Sequence, residues 1–169
     1  LQTLEQTWTA AGRPHLQSNL VLRQAPVYSW LKSVINEGRL GKIFAFDGDY
    51  LYGRLEKIIN GWRGDVPDYS VMEGGGIHMI DLMRWLINRD VDEVFGMGNK
   101  ILSRDSDYRF EDSIVSLLRF QGGTIGKCFT TFGPQRTKFH ALNVYGTKKT
   151  FVNDLPHAKL FEGSAPDDE

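Results

Sequence analysis

From Val91 onward the chain divides into short runs of β-branched and aromatic residues, at 94–102, 113–120, 124–132, 139–145 and 150–152. Tight turns separate several of them: Gln121-Gly122-Gly123, Gly133-Pro134 and Gly146-Thr147. That spacing predicts successive antiparallel strands, since strands joined by so few residues can only fold back on one another. Upstream the periodicity is different. Val27, Trp30, Leu31, Val34 and Ile35 recur at helical spacing between Pro26 and Gly38, which makes an amphipathic helix. Residues 42–52 alternate as a strand, and 53–70 reads as loop. Residues 77–87 are apolar nearly all round, the mark of a buried helix. At the start, Leu1, Leu4, Trp8 and Ala11 form one face of a helix ended by Gly12 and Pro14, and Asn19-Leu20-Val21-Leu22 reads as a short strand. Helices first and strands afterwards give an α+β fold: a predominantly antiparallel open sheet with helices on one face. Residues 165–169 read as a frayed tail.

Composition removes several function classes. With 20 basic against 21 acidic side chains the chain lacks the charge that drives nucleic-acid binding, and no stretch approaches the roughly 20 apolar residues of a membrane span. The single cysteine, Cys128, cannot form an intrachain disulfide, which suits a cytoplasmic, reducing setting. His15, His78, His140 and His157 are scattered, without HxxxH or CxxC, so no metal site is expected. A start at Leu1 without a signal segment suggests a trimmed fragment.

The segment Glu73-Gly74-Gly75-Gly76-Ile77-His78-Met79-Ile80-Asp81 holds the chemistry. The first turn of a helix disfavours imidazolium, so His78 there is biased toward the neutral, proton-accepting form. Asp81, three residues on, shares its face and could orient the ring. The glycines permit a close approach of ligand or backbone. A plainer reading is open for the same residues: a flexible loop, a half-buried histidine and a local helix partner. GxGxxG and GxxxxGK are both absent, so the chain holds no self-contained nucleotide site.

Gly74 through Leu86, GGGIHMIDLMRWL, resembles the glycine-rich GxHxxDLxRWL stretch of the Gfo/Idh/MocA oxidoreductases. Further pieces follow in that family's order: Arg23-Gln24-Ala25-Pro26, residues 37–43, Gly61-Trp62-Arg63, Glu111-Asp112 and Tyr145-Gly146-Thr147. The resemblance implies the C-terminal part of a two-domain, NAD- or NADP-dependent dehydrogenase of sugars, inositols or related polyols. Residues 1–22 would then be the last helix and strand of a Rossmann domain, and residues 23–169 the substrate-binding and oligomerisation domain, inactive alone. It implies His78 as catalytic base, with Asp81 beside it. Glu73, Gly76, Trp62 and Arg63 then fall at the substrate, and Arg23 at the cofactor. Tyr52 joins the substrate set because rings pack on sugar C–H faces, although Tyr50 and Tyr52 also read as ordinary strand residues.

Many family members carry an aspartate four residues before the histidine, where this chain has Gly74. Either Glu73 substitutes, or the chemistry differs, or the chain is a non-catalytic assembly or ligand-binding module on the same fold. The alternating strand Thr124-Ile125-Gly126-Lys127-Cys128-Phe129 leaves one sheet face without helices to cover it, which predicts a homo-oligomer through that face.

Overall fold

The computed structural model describes residues 2–16, 18–67, 69–134, 139–153 and 156–162. Leu1 and the tail at 165–169 lie outside these. Helix α1 (Gln2–Ala10) buries none of its residues, although Trp8 Nε1 donates to the Pro14 carbonyl at 2.7 Å. The expected strand at 19–22 does not form; Val21–Gln24 is a 3-10 turn. Its apolar run is too short to declare a period, and Leu22 alone turns inward as a knob in the core. Ala25, held extended by the following proline, then leads into α2 (Pro26–Asn36). As its spacing requires, α2 buries Tyr28, Leu31 and Val34.

Seven strands form one sheet: β1 (Ile43–Leu51), β2 (Val91–Asn99), β3 (Ser113–Phe120), β4 (Ile125–Thr131), β5 (Phe139–Gly146), β6 (Lys149–Asn153) and β7 (Lys159–Glu162). Their order is β2-β3-β4-β1-β5-β6-β7. One pairing departs from the expected succession. β1 is inserted between β4 and β5, parallel to the former and antiparallel to the latter. The reason lies in its inner face, where Gly48 lies beneath Met83 and Met79 of the helix α4 (Ile77–Ile87). The helix thus crosses the middle of the sheet over β1. A short helix, α3 (Leu55–Ile59), interrupts the expected loop and buries Ile58.

The inner face is read off the register: Phe46, Gly48 and Tyr50 stand beside Gly126, Cys128 and Thr130 on one side, and Val144, Leu142 and His140 on the other. Against it pack Met79, Leu82, Met83 and Leu86, all fully buried, each contributing roughly 1.5–3 kcal/mol. Lys32 of α2 donates its ammonium to the carbonyls of Trp85 (2.6 Å) and Leu86 (3.1 Å), filling acceptors that a helix end leaves open. Asn88 closes α4 in the left-handed conformation, φ 52°.

Cys128 lies in this core, and burial pushes its thiol up to about 11. A neutral thiol without solvent access is not a nucleophile. Thiol reagents at neutral pH should therefore label native protein far more slowly than urea-unfolded protein, as followed by mass spectrometry; equal rates would contradict this burial.

Candidate functional site

The glycine triplet is not a loop. Ser70 and Glu73 form a capping box: the Ser70 N–H and hydroxyl both donate to the Glu73 carboxylate at 3.2 Å, and the Glu73 N–H donates to the Ser70 hydroxyl at 3.1 Å. Helical backbone starts at Val71, widens into a π turn over Met72–Gly76, and runs without a break into α4. The free N-terminus thus lies near Ser70 and Val71. His78 is about two turns further in, and Ile77 already donates its N–H to the Met72 carbonyl. The expected dipole bias on His78 is correspondingly weakened, because such effects fade beyond the first turn. Glu73 is exposed and occupied by its capping bonds.

The widened turn brings rings against backbone. At Gly75 a Cβ would lie inside the Tyr50 ring, 2.9 Å even from its Cζ. At Gly74 a Cβ would overlap the Tyr69 hydroxyl and lie 2.8 Å from Cε1. Gly76 is buried against Met72 and Thr130, so it serves packing.

Around His78 the rings form one cluster. Tyr50 is stacked at 27° and 6.3 Å from His78, and meets His140 edge-on at 5.2 Å. His78 and His140 stand at 6.3 Å and 87°. Tyr52 stacks on Tyr50 at 6.0 Å, and the guanidinium of Arg54 covers Tyr52 at 5.7 Å. Arg63 lies 4.5 Å over the exposed Trp62 ring and donates Nε to the Tyr69 hydroxyl at 3.1 Å. The His140 carbonyl accepts from Tyr28 Oη (2.9 Å) and Asn153 Nδ2 (3.0 Å), which fixes β5 where it meets the cluster.

Asp81 and Arg23 meet. Arg23 donates Nε and Nη2 to the two carboxylate oxygens at 2.8 and 2.5 Å. Hydrogen bonding to Asp81 lifts the guanidinium above its ordinary value, although burial works the other way. Two residues expected to serve a ring and a cofactor thus hold the helix to the 3-10 turn. Of the remaining expected residues, His78 and Tyr52 share the Tyr50 ring cluster, while Trp62 and Arg63 pack on Tyr69, whose hydroxyl lies against Gly74.

Sequence reading missed Tyr69 and His140. Alternation along β5 puts His140 on the face of Leu142 and Val144, but only the pairing with β1 sets it opposite Tyr50. Among the described residues no group of three metal-ligating side chains occurs.

Burial pushes Tyr50 up to about 12, reinforced by Tyr69 and Tyr52 and opposed by Arg63, and burial pushes Tyr28 up to about 12. Both raised values stabilise the fold fully below pH 10.0, and that stabilisation is lost as pH rises through about 12. Urea midpoints should hold up to pH 10.0 and then fall toward 12; a flat profile would contradict the burial of these phenols.

Residues 28–152 match the GFO/IDH/MocA C-terminal domain. The chain belongs to that family. Inositol 2-dehydrogenase 2 of Saccharopolyspora erythraea is 29% identical over 80 residues, which are 47% of this chain and 22% of that protein. Among solved structures, an inositol dehydrogenase homolog from Azotobacter vinelandii, complexed with NADH and myo-inositol, superposes with a TM-score of 0.77 at 15% identity, covering 95% of this chain and 45% of that one. The myo-inositol 2-dehydrogenase of Lactobacillus plantarum gives 0.74 at 19%, covering 85% and 46%. The chain spans less than half the length of each. At such identities the structural likeness concerns the fold: the seven-stranded, mostly antiparallel open sheet with helices on one face.

Proposed function

We propose that this GFO/IDH/MocA chain is the substrate and oligomerisation domain of an NAD- or NADP-dependent dehydrogenase of an inositol, sugar or related polyol. In this reading residues 1–22 close a dinucleotide-binding domain, residues 23–169 form the C-terminal domain, and the latter is inactive alone. The observation that carries it is His78, set in a ring cluster with Tyr50, Tyr52 and His140 and next to the group of Trp62, Arg63 and Tyr69, in the segment that resembles the family's histidine stretch.

Among the described residues no glycine-rich turn joins a strand to a helix in the way that cradles a pyrophosphate. They do form an open hollow of about 390 Å³ on the neighbouring face of α4, lined by Leu20, Met72, Ile77 and Ile80 together with Ser18, Glu73, Asp81 and Arg84. Its size and lining fit a flat ring such as nicotinamide, with the bulk of the dinucleotide held elsewhere. When bound, the nicotinamide would supply hydride acceptance. The chain's own residues do the rest. His78 takes the proton of the substrate hydroxyl as general base. Tyr52 and Trp62 offer ring faces to the polyol's C–H groups, and Arg63 donates to its hydroxyls. Asp81 and Arg23 act as a positioning pair that keeps the His78 turn in place. Near-neutral net charge, -1, suits an uncharged substrate better than nucleic acid.

The full-length protein should reduce NAD or NADP when offered a panel of inositols and sugars; no polyol-dependent reduction with either nucleotide would defeat this reading in favour of a non-catalytic module.

We also place the oligomer contact on the outer sheet face. Phe95 (62% exposed), Met97 (68%), Leu117 (51%) and Ile125 (54%) stand there with no helix over them. Beside them Lys127 bridges Asp47 (2.5 Å) and Asp49 (2.8 Å). A contiguous apolar face beside a charged stripe fits a second copy of the same face. Light scattering at tens of micromolar should report a dimer or higher, and Leu117→Asp should release monomer. A monomeric parent would contradict it.

A further inference from the structure

Tyr69 is packed in a way that its ring alone does not require. Its hydroxyl lies on the backbone of Gly74, one turn before His78, in space that any side chain at 74 would fill. Arg63 donates Nε to that hydroxyl oxygen at 3.1 Å. Arg63 is itself clamped, 4.5 Å over the Trp62 ring, and Trp62 meets Tyr69 edge-on at 6.3 Å. The backbone is held as well, since Tyr108 Oη donates to the Tyr69 carbonyl at 3.2 Å. A phenol oxygen that accepts from a guanidinium still has its own hydrogen to give. Among the described residues no acceptor takes it. Residues 74 and 78 lie one turn apart on the same helix face, so the phenol held over Gly74 stands next to the His78 position, and the Tyr50 ring packed on Gly75 stacks with His78.

We propose that the Tyr69 hydroxyl, aimed by Arg63, donates a hydrogen bond to a substrate hydroxyl neighbouring the one that His78 deprotonates, and so selects which hydroxyl of a polyol is presented to the histidine. Gly74 is what admits it: the glycine leaves room for a neutral donor close to the reacting carbon. The ligand class is a vicinal diol, as in inositols and pyranoses, because a donor held over residue 74 and a base at 78 on the same helix face can each hydrogen-bond one of two neighbouring hydroxyls of a single ligand. This inference rests on the dehydrogenase reading above.

The test uses the full-length protein with Tyr69→Phe, which keeps the ring and removes only the hydroxyl. The substrates are myo-inositol and its singly deoxygenated analogues, or the corresponding set for whichever panel polyol turns over fastest. Loss of one neutral hydrogen bond should raise KM or lower kcat/KM about tenfold for the intact polyol. The deoxy analogue lacking the contacted hydroxyl should be equally poor with both proteins, while the other analogues keep the tenfold gap. Arg63→Met should show the same selectivity with a smaller effect. Nucleotide Kd and melting temperature should not move. A Tyr69→Phe enzyme indistinguishable from its parent, or one that loses equally on every analogue, would overturn the proposal. A parent protein inert to the whole panel would instead overturn the dehydrogenase reading, and this inference with it.

Discussion

His78→Ala in the full-length protein is expected to lose about 10²- to 10⁴-fold in kcat, the range over which a positioned general base contributes. Nucleotide affinity should stay within about twofold, since the hollow proposed above for the nicotinamide lies on the neighbouring helix face. The fold should survive. His78 is only half-buried, and the core of α4 is carried by Met79, Leu82, Met83 and Leu86. Steady-state kinetics with nucleotide titration check this, and unchanged kcat would remove His78 from the role.

Gly75→Ala should harm both stability and activity. A methyl group at 75 enters the Tyr50 ring, which is itself buried against Tyr52, His78 and His140. Either the ring or the π turn must shift. Overpacking of this kind costs about 1–3 kcal/mol, against a helix-propensity gain of roughly 0.5–1 kcal/mol for losing glycine. The net loss should lower the melting temperature by a few degrees, at about 2–4 °C per kcal/mol for a chain of this size. Displacement of Tyr50 moves the ring stacked on His78, so turnover should fall about tenfold or more. Gly96→Ala is the control: on β2 the nearest atom to a new Cβ is the Val115 carbonyl oxygen at 3.9 Å, and melting temperature should hold or rise slightly. Equal behaviour of the two variants, by calorimetry, would contradict the close approach at Gly75.

What could be read from the sequence follows the range of the forces involved. α2 appears where its apolar stripe put it and α4 where a run apolar nearly all round put it, because both signals lie within the helix itself. Strand β3 does too, as its alternation and its glycine turn are local. The place of β1 was not legible. Its neighbours β4 and β5 lie some 80 to 100 residues away, and only the packing of Met79 and Met83 over Gly48 shows that it is central. The run at 19–22 misled because three apolar residues in a row carry no period, and the chain uses only Leu22 as an anchor. In the site, His78 stood out through its resemblance to a known motif. The capping box of Ser70 and Glu73 was readable in principle as S-x-x-E, and it explains why the glycines are helical. Tyr69 and His140 carry no motif. They reach the surroundings of His78 through the loop after α3 and through the pairing of β5, both consequences of the fold.

The central claim is that a polyol binds in a cleft beside the cluster of Tyr50, His140 and Arg63, with its reacting hydroxyl at His78. A crystal structure of the full-length protein with nucleotide and its fastest panel polyol tests it most directly. The account places one substrate hydroxyl at about 2.6–3.2 Å from a His78 ring nitrogen. A polyol bound away from that cleft, with no hydroxyl in reach of the imidazole while the protein is active, would contradict it.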